Sequence, residues 1–452
     1  MARAVVITGV GPVTGSGIGA DALLATVATG MPAPISYTDV VAGQVWATFP
    51  AFCAGPIDLP MFGLPPDTGR RLASYGVATH RELHTLLAAS RLALTDARLD
   101  YDPHDNCIGI VVTCEAPGVD AYVREVATLA CELAASSLPA NIVASEKEGL
   151  LVPRDRHALL DLLFARHATA VYNLQSFMYP FLMASLLGLH GPATFLNHAC
   201  ASGLYALEVA AQSIRAGHTP IVVVAGADFP LSAAKYRWFH DQGLYADDGR
   251  MKPFDVRRNG IVFGDGGTAL VLEDAEHARR RDAPVYGEYL GGGFAQEAWK
   301  IFLPEPSTRY LQRAIGDALE HAGCTAGQIA IICAHGAATP LGDMAEARAL
   351  TTIWPDPVHR PPIVALKPYV GHNLGGSALM ELGLALLTMR QGWVPAMPNI
   401  TSPDPALGLT PLTEPYSLDI SYPLLLKVAI GFAGYLAAAV VRVINQASEV
   451  TT

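Results

Sequence analysis

Charge is scarce in this chain. Asp, Glu, Lys and Arg make up 16% of its 452 residues, against 51% apolar ones; about 25% charged is usual. So little charge predicts a large buried surface, extending to a subunit interface. The balance is also acidic, at −11 overall, which argues against nucleic acid or an anionic membrane as the main partner. From His167 to Leu207 no charged residue occurs. Pro180, Gly188, Gly191, Pro192 and Asn197 break that run below the ~20 apolar residues of a membrane span, so it reads as core. The N-terminal MARAVVITGVGPV lacks the long apolar stretch of a secretory signal. Seven cysteines occur without a CxxC, which fits reduced thiols in the cytoplasm better than a disulfide framework. There is no GxSxG elbow for serine hydrolysis and no short-range Cys/His pairing of the kind zinc prefers, so no metal is expected.

What is present alternates strand and helix. Ala4–Val10 reads as a strand running into a glycine-rich turn, GVGPVTGSG, whose third dinucleotide-fingerprint glycine is replaced by Thr14. Residues 71–97 read as one helix, 107–113 as a buried strand, 118–170 as helices and loops, and 173–189 as an uncharged helix. Pro220–Gly226 is a continuous apolar strand. It would be an aggregation hazard as a free edge, which predicts a dimer built through it. A polar segment near 274–284 separates two halves, 1–274 and 275–452, and the second repeats the grammar of the first. The fold class is therefore layered α/β, from two similar units.

Cys200 sits between a strand-like run and a helical pattern (FLNHACASGLYALEVAAQSI). A helix N-terminus favours thiolate, which is the nucleophilic form. Three other polar groups follow apolar strands, where α/β proteins place their sites: His335 in AHGAATPLGDMAE, Lys367 and His372 in LKPYVGHNLGG, and Phe432 in IGFAGY.

These segments resemble the β-ketoacyl synthases, condensing enzymes of the thiolase-like superfamily, in particular the elongating type of fatty-acid and type II polyketide pathways. HACASG is similar to the family's nucleophile motif; His335, Gly336, Thr339, Gly342, Asp343 and Glu346 match its first histidine motif. Lys367, Gly371, His372, Gly375 and Ala378 match the second. Pro253, Phe254, Asp255, Arg258, Gly260 and Gly264 match PFD..R.G...GEG, and Gly431, Phe432 and Gly434 match GFGG. The resemblance implies an α-β-α-β-α layered fold and decarboxylative Claisen condensation. An acyl group on Cys200 would react with a malonyl extender delivered by an acyl carrier protein. It implies no cofactor beyond the carrier's phosphopantetheine. His335 and His372 would stabilise the enolate, and the amides of Cys200 and Phe432 the acyl carbonyl. Lys367, paired with Glu346, would orient the histidines, with Phe432 as a gate and Thr339, Ala337 and Gly431 at the substrate. The partners implied are the carrier and either a second copy or a ketosynthase-like subunit.

The chain departs from the pattern at His198, Ala337, Asp265, Ala433, Tyr435 and Leu436, which points toward specialised polyketide or polyene-like metabolism. Two other readings compete. One is an acyltransferase forming an ester or amide without decarboxylation; the other is a non-catalytic partner resembling a chain-length factor.

Overall fold

The computed structural model describes residues 3–30, 33–135, 168, 170–418 and 422–445; the remainder of the 118–170 stretch lies outside the described residues. Five strands of the first half, β1 (Val5–Thr14), β2 (Gly109–Thr113), β3 (Ala193–Leu196), β4 (Ile221–Asp228) and β5 (Gly266–Asp274), lie in the order β3-β2-β4-β5-β1. The second half contributes β6 (Gly287–Gln296), β7 (Ile329–Cys333), β8 (Ile363–Val364), β9 (Leu424–Ile430) and β10 (Tyr435–Val443), in the order β8-β7-β9-β10-β6. The two patterns are the same. In each, three strands are parallel (β3, β2, β4 and β8, β7, β9) and the last two run antiparallel. Register repeats as well: Thr113 faces Leu196 and Gly226, as Cys333 faces Val364 and Lys427. Val5–Ile7 of β1 pair with Gly287–Tyr289 of β6 and join the halves.

Helices close the layers. α1 (Arg81–Asp96) and α2 (Met178–Leu187) cover the outer face of the first half. α3 (Ser202–Arg215) packs between the two half-sheets, touching both. α4 (Arg309–His321) and α5 (Pro340–Ile353) lie on the far side of the second half, with α4 on β6 and β10. α6 (Ser377–Arg390) joins α3 in the central layer. That position explains its composition: SALMELGLALLTMR is buried along thirteen of its fourteen residues, as a helix enclosed on all sides must be. This is the five-layer duplicated arrangement of the thiolase-like fold.

Three sequence expectations change. The glycines at 9 and 11 stand inside β1 and not in a turn, because a Cβ at either would strike a carbonyl oxygen of α1, at Ala93 or Ala89. They let helix and strand approach closely. The expected helix over 71–97 is two, Thr68–Ser74 and α1, separated where Gly76 takes φ +72 and His80 is extended. The apolar strand at 220–226 is β4, hydrogen-bonded on both sides by β2 and β5. It is no edge, and its unbroken apolar run reflects burial on both faces. The free edge of the first half is β3.

Candidate active site

Most sequence-predicted site residues lie beyond the carboxyl end of a parallel strand, while Glu346 stands inside α5. Cys200 follows β3, His335 follows β7, Lys367 and His372 follow β8, and Gly431 and Phe432 follow β9. Cys200 thus belongs to the first half and the other groups to the second.

The turn before Cys200 is tightly cross-linked. Asn197 Oδ1 accepts from the Ala199 N–H at 3.1 Å, and Ser202 Oγ accepts from the His198 N–H at 2.7 Å while donating to Ala199 O at 2.6 Å. Ala199 takes φ +49, a left-handed conformation costing an alanine about 1–2 kcal/mol. It is held there by these bonds. The Ala201 and Ser202 N–H groups are bound to His198 O and Ala199 O, so they are not spare donors for sulfur. Cys200 is buried, and that burial, reinforced by the charge of Glu115, pushes its thiol up despite Lys367 and the Phe432 N–H hydrogen-bonded to it. Burial thus opposes the thiolate that a helix N-terminus favours.

His335 and His372 meet edge to face, with ring centroids 5.9 Å apart. The Leu374 N–H donates to His372 Nδ1 at 3.0 Å, which fixes the ring proton on Nε2; Ser377 Oγ lies 2.8 Å from the same Nδ1. Lys367 Nζ lies 3.2 Å from His335 Nδ1, and an ammonium only donates, so His335 also carries its proton on Nε2. Burial first, then the nearby lysines, holds both imidazoles well below the usual histidine range. Both are neutral donors.

The expected Lys367–Glu346 pair does not form. Glu346 accepts the backbone N–H groups of His335, at 2.6 Å, and Gly336, at 2.8 Å. It anchors the loop that carries the first histidine. Lys367 instead donates to Glu381 Oε1 at 2.7 Å and to His335 O at 2.6 Å. Lys427 donates to Glu381 Oε2 at 2.7 Å and to Ala334 O at 3.1 Å. All three charged side chains are essentially sealed from solvent. Sequence reasoning missed Glu381 and Lys427; the available signal was a lone acid inside the apolar helix α6.

Phe432 caps the site. Its ring stacks on Phe239 at 5.7 Å and meets Phe302 edge-on at 5.3 Å, with Trp238 at 6.0 Å. A Cβ at Gly431 would lie 2.8 Å from His198 O, so only glycine lets this loop approach the nucleophile turn so closely. Ala433, where the family pattern has glycine, takes φ +59, and its N–H donates to Ile301 O at 2.7 Å. A largely apolar cavity of about 330 Å³ brings Cys200, His335, His372 and Phe432 together with Ala337, Thr339 and Gly431. Asp343 accepts the Phe254 N–H at 2.8 Å, tying the first histidine motif to the PFD segment. Among the other departures, Asp265 pairs with Arg81 at 2.9 Å, and His198 stacks on Tyr205 with centroids 4.0 Å apart. Among the described residues no cluster of His, Cys, Asp and Glu could hold a metal, and no helix is long and apolar enough to cross a membrane.

A buried cysteine and two neutral imidazole donors around one cleft, on a duplicated α/β scaffold, fit a thioester-condensing class. Within it, the β-ketoacyl synthase N-terminal domain model matches residues 2–278 and the C-terminal domain model residues 286–401. The chain belongs to the β-ketoacyl synthase family. It is 28% identical to a putative polyketide β-ketoacyl synthase 1 of Streptomyces halstedii, over 97% of this chain and 98% of that one. It is 34% identical to a putative mitochondrial 3-oxoacyl-[acyl-carrier-protein] synthase of Schizosaccharomyces pombe, over 47% of this chain and about half (53%) of that relative's length. Among solved structures, the ishigamide ketosynthase/chain length factor superposes with a TM-score of 0.78 at 24% identity, covering 98% of this chain and all of the other. A β-ketoacyl synthase from Burkholderia phymatum STM815 gives 0.74 at 25%, with the same coverage.

Proposed function

We propose that this protein is a β-ketoacyl synthase of polyketide-type metabolism, catalysing decarboxylative condensation of a Cys200-bound acyl chain with a malonyl extender on a carrier protein. The observation that carries this reading is the convergence of Cys200 with two Nε2–H donors at one apolar cleft.

In the first step Sγ attacks the incoming thioester carbonyl. The acyl–Sγ bond forms, the bond to the pantetheine sulfur breaks, and the thiol proton leaves with that sulfur. The acyl oxygen faces the Cys200 and Phe432 amides. In the second step the extender's C–COO⁻ bond breaks and CO₂ departs. The electron pair moves onto the thioester oxygen, where the Nε2–H groups of His335 and His372 receive it. The enolate carbon then attacks the acyl carbonyl, and collapse of the tetrahedral intermediate returns the electron pair to Sγ, which takes a proton from solvent to restore the thiol. Lys367, held by Glu381, keeps His335 Nδ1 an acceptor.

The partners that fit are an acyl carrier protein and a second subunit. Related structures include a ketosynthase with its acyl-carrier protein and one with its chain length factor. The protein would use the carrier's phosphopantetheine and no cofactor of its own, in a reducing compartment such as the cytoplasm, where its seven free thiols stay reduced. The domain division falls near 274, before β6. Two histidines beside the nucleophile speak against an acyltransferase without decarboxylation, and the nucleophile itself against a chain-length factor. The test is labelled CO₂ release and product formation with malonyl carrier and an acyl thioester. No CO₂ and no acyl-enzyme in the wild type would overturn the reading.

A further inference from the structure

The cavity that holds Cys200 and the two histidines also holds an acid that the mechanism does not use. Its walls run from the buried sulfur to Ile301, Phe302, Leu303 and Leu341, all of them exposed. It is therefore a passage from the surface to Cys200, and any thioester that reaches the sulfur this way lies along it. Apart from the cysteine and the histidines, the polar side chains in its walls are Gln242, Glu297, Lys300 and Thr339. Of these four only Glu297 is buried, at 8% exposure.

Glu297 stands one residue past the end of β6 and is built into the wall. Its N–H donates to Gly434 O at 2.9 Å, which ties it to the loop carrying Phe432. Gly434 takes φ +79, and a Cβ there would lie 2.9 Å from the Glu297 Cβ, so the loop needs glycine at this point for the acid to fit. On the other side, Oε2 accepts the Glu305 N–H at 3.1 Å. Oε1 accepts nothing from the described residues. No cation answers the carboxyl among them either: Lys300 turns to Trp299, its Nζ 5.6 Å from the ring centroid, and the charge felt at Glu297 is that of Glu305, of the same sign.

An acceptor left open in an apolar cavity is unfavourable until a donor reaches it. Burial raises the Glu297 carboxyl, which disfavours its charged form and suits it to a neutral donor. The ketosynthase reading supplies such donors, because the phosphopantetheine arm of a carrier has amide N–H groups and a hydroxyl and must thread this passage. Resting on that reading, we propose that Glu297 binds the carrier's pantetheine arm, Oε1 accepting a hydrogen bond from one of its N–H or O–H groups, and so selects pantetheine thioesters over thioesters of plain alkyl thiols. The contact is remote from the bonds that change, so it acts on KM and leaves kcat alone.

The experiment is labelled CO₂ release by the full chain from malonyl pantetheine and from malonyl ethyl thioester, whose thiol part has no hydrogen-bond donor. Glu297→Leu should lower kcat/KM for the pantetheine thioester about tenfold, through KM, the scale of one hydrogen bond to a buried acceptor. The ethyl thioester should be unaffected, which also shows that the variant is folded. Glu297→Gln keeps a carbonyl acceptor and should stay close to the wild type. An equal loss on both thioesters overturns the assignment, as does an unchanged KM for the pantetheine thioester in Glu297→Leu. Glu297→Gln as weak as Glu297→Leu overturns it as well, since the group read would then be a cation. Those outcomes leave the ketosynthase reading standing. No CO₂ from either thioester in the wild type overturns that reading and this one together.

Discussion

Lys367 and Lys427 share one carboxylate, each 2.7 Å from a different oxygen of Glu381. Glu381→Ala would leave two buried ammonium groups without a counter-charge, at a cost of about 3–5 kcal/mol. It would also free Lys367 to leave His335. The expected result is a sharp fall in denaturation midpoint together with loss of decarboxylation. Glu346→Gln should cost less, about 1–3 kcal/mol, because two amides keep one acceptor between them. Urea unfolding of both variants measures the order; a larger loss in Glu346→Gln would return the ion pair to the residue first expected.

Cys200→Ala should end self-acylation and condensation yet keep some CO₂ release from malonyl carrier, since the enolate does not need the sulfur. His335→Ala or His372→Ala should each lower that release by about 10²–10³, as for one oxyanion donor. Peptide mapping after acyl transfer should find the increment on Cys200 alone; a label on Cys114 or Cys333, both buried, would sink the assignment.

The pH dependence follows from the direction of the imidazole shifts. Both histidines are held well below their usual value, so they stay neutral as pH falls through about 6.5. Decarboxylation by Cys200→Ala should therefore be flat between pH 6 and 8. A profile that rises or falls with an apparent pKa near 6.5 would mean ordinary, solvated imidazoles. The Cys200 thiol is shifted upward, so its alkylation should still be climbing about tenfold per pH unit above pH 8.

Much of this was legible in the sequence, and for a definable reason. Cys200, His335, His372 and Phe432 each stand at a strand end inside a short local motif, so strand-end position and the motifs' resemblance to the ketosynthase family brought them forward. Glu381 is not local to anything it binds: it lies fourteen residues beyond Lys367 and forty-six before Lys427, and only three-dimensional packing joins them. Glu346 was a natural substitute because it sits in the histidine motif, but its two oxygens are taken by backbone amides. The β4 strand misled in the same way. An apolar run looks alike whether it is an exposed edge or the middle of a sheet, and pairing on both sides decides it.

With β4 internal, the edge strand β3 is the expected place for a subunit contact. Light scattering should give about 95 kDa, twice 47.7 kDa, by closed two-fold symmetry. Amide exchange at residues 193–196 should slow at concentrations where the dimer forms. A monomer under those conditions, with or without a ketosynthase-like partner, contradicts the assignment.

The nucleophile and the imidazoles hang from different halves of a duplicated sheet, joined by three residue pairs between β1 and β6 and by two helices wedged between them. The distance on which catalysis depends is therefore a reading of how one half is seated on the other. Gentle heat or denaturant that loosens this seating, with each half still folded, would silence the chemistry while secondary structure is intact. In this protein, activity is the more sensitive gauge of mechanical integrity.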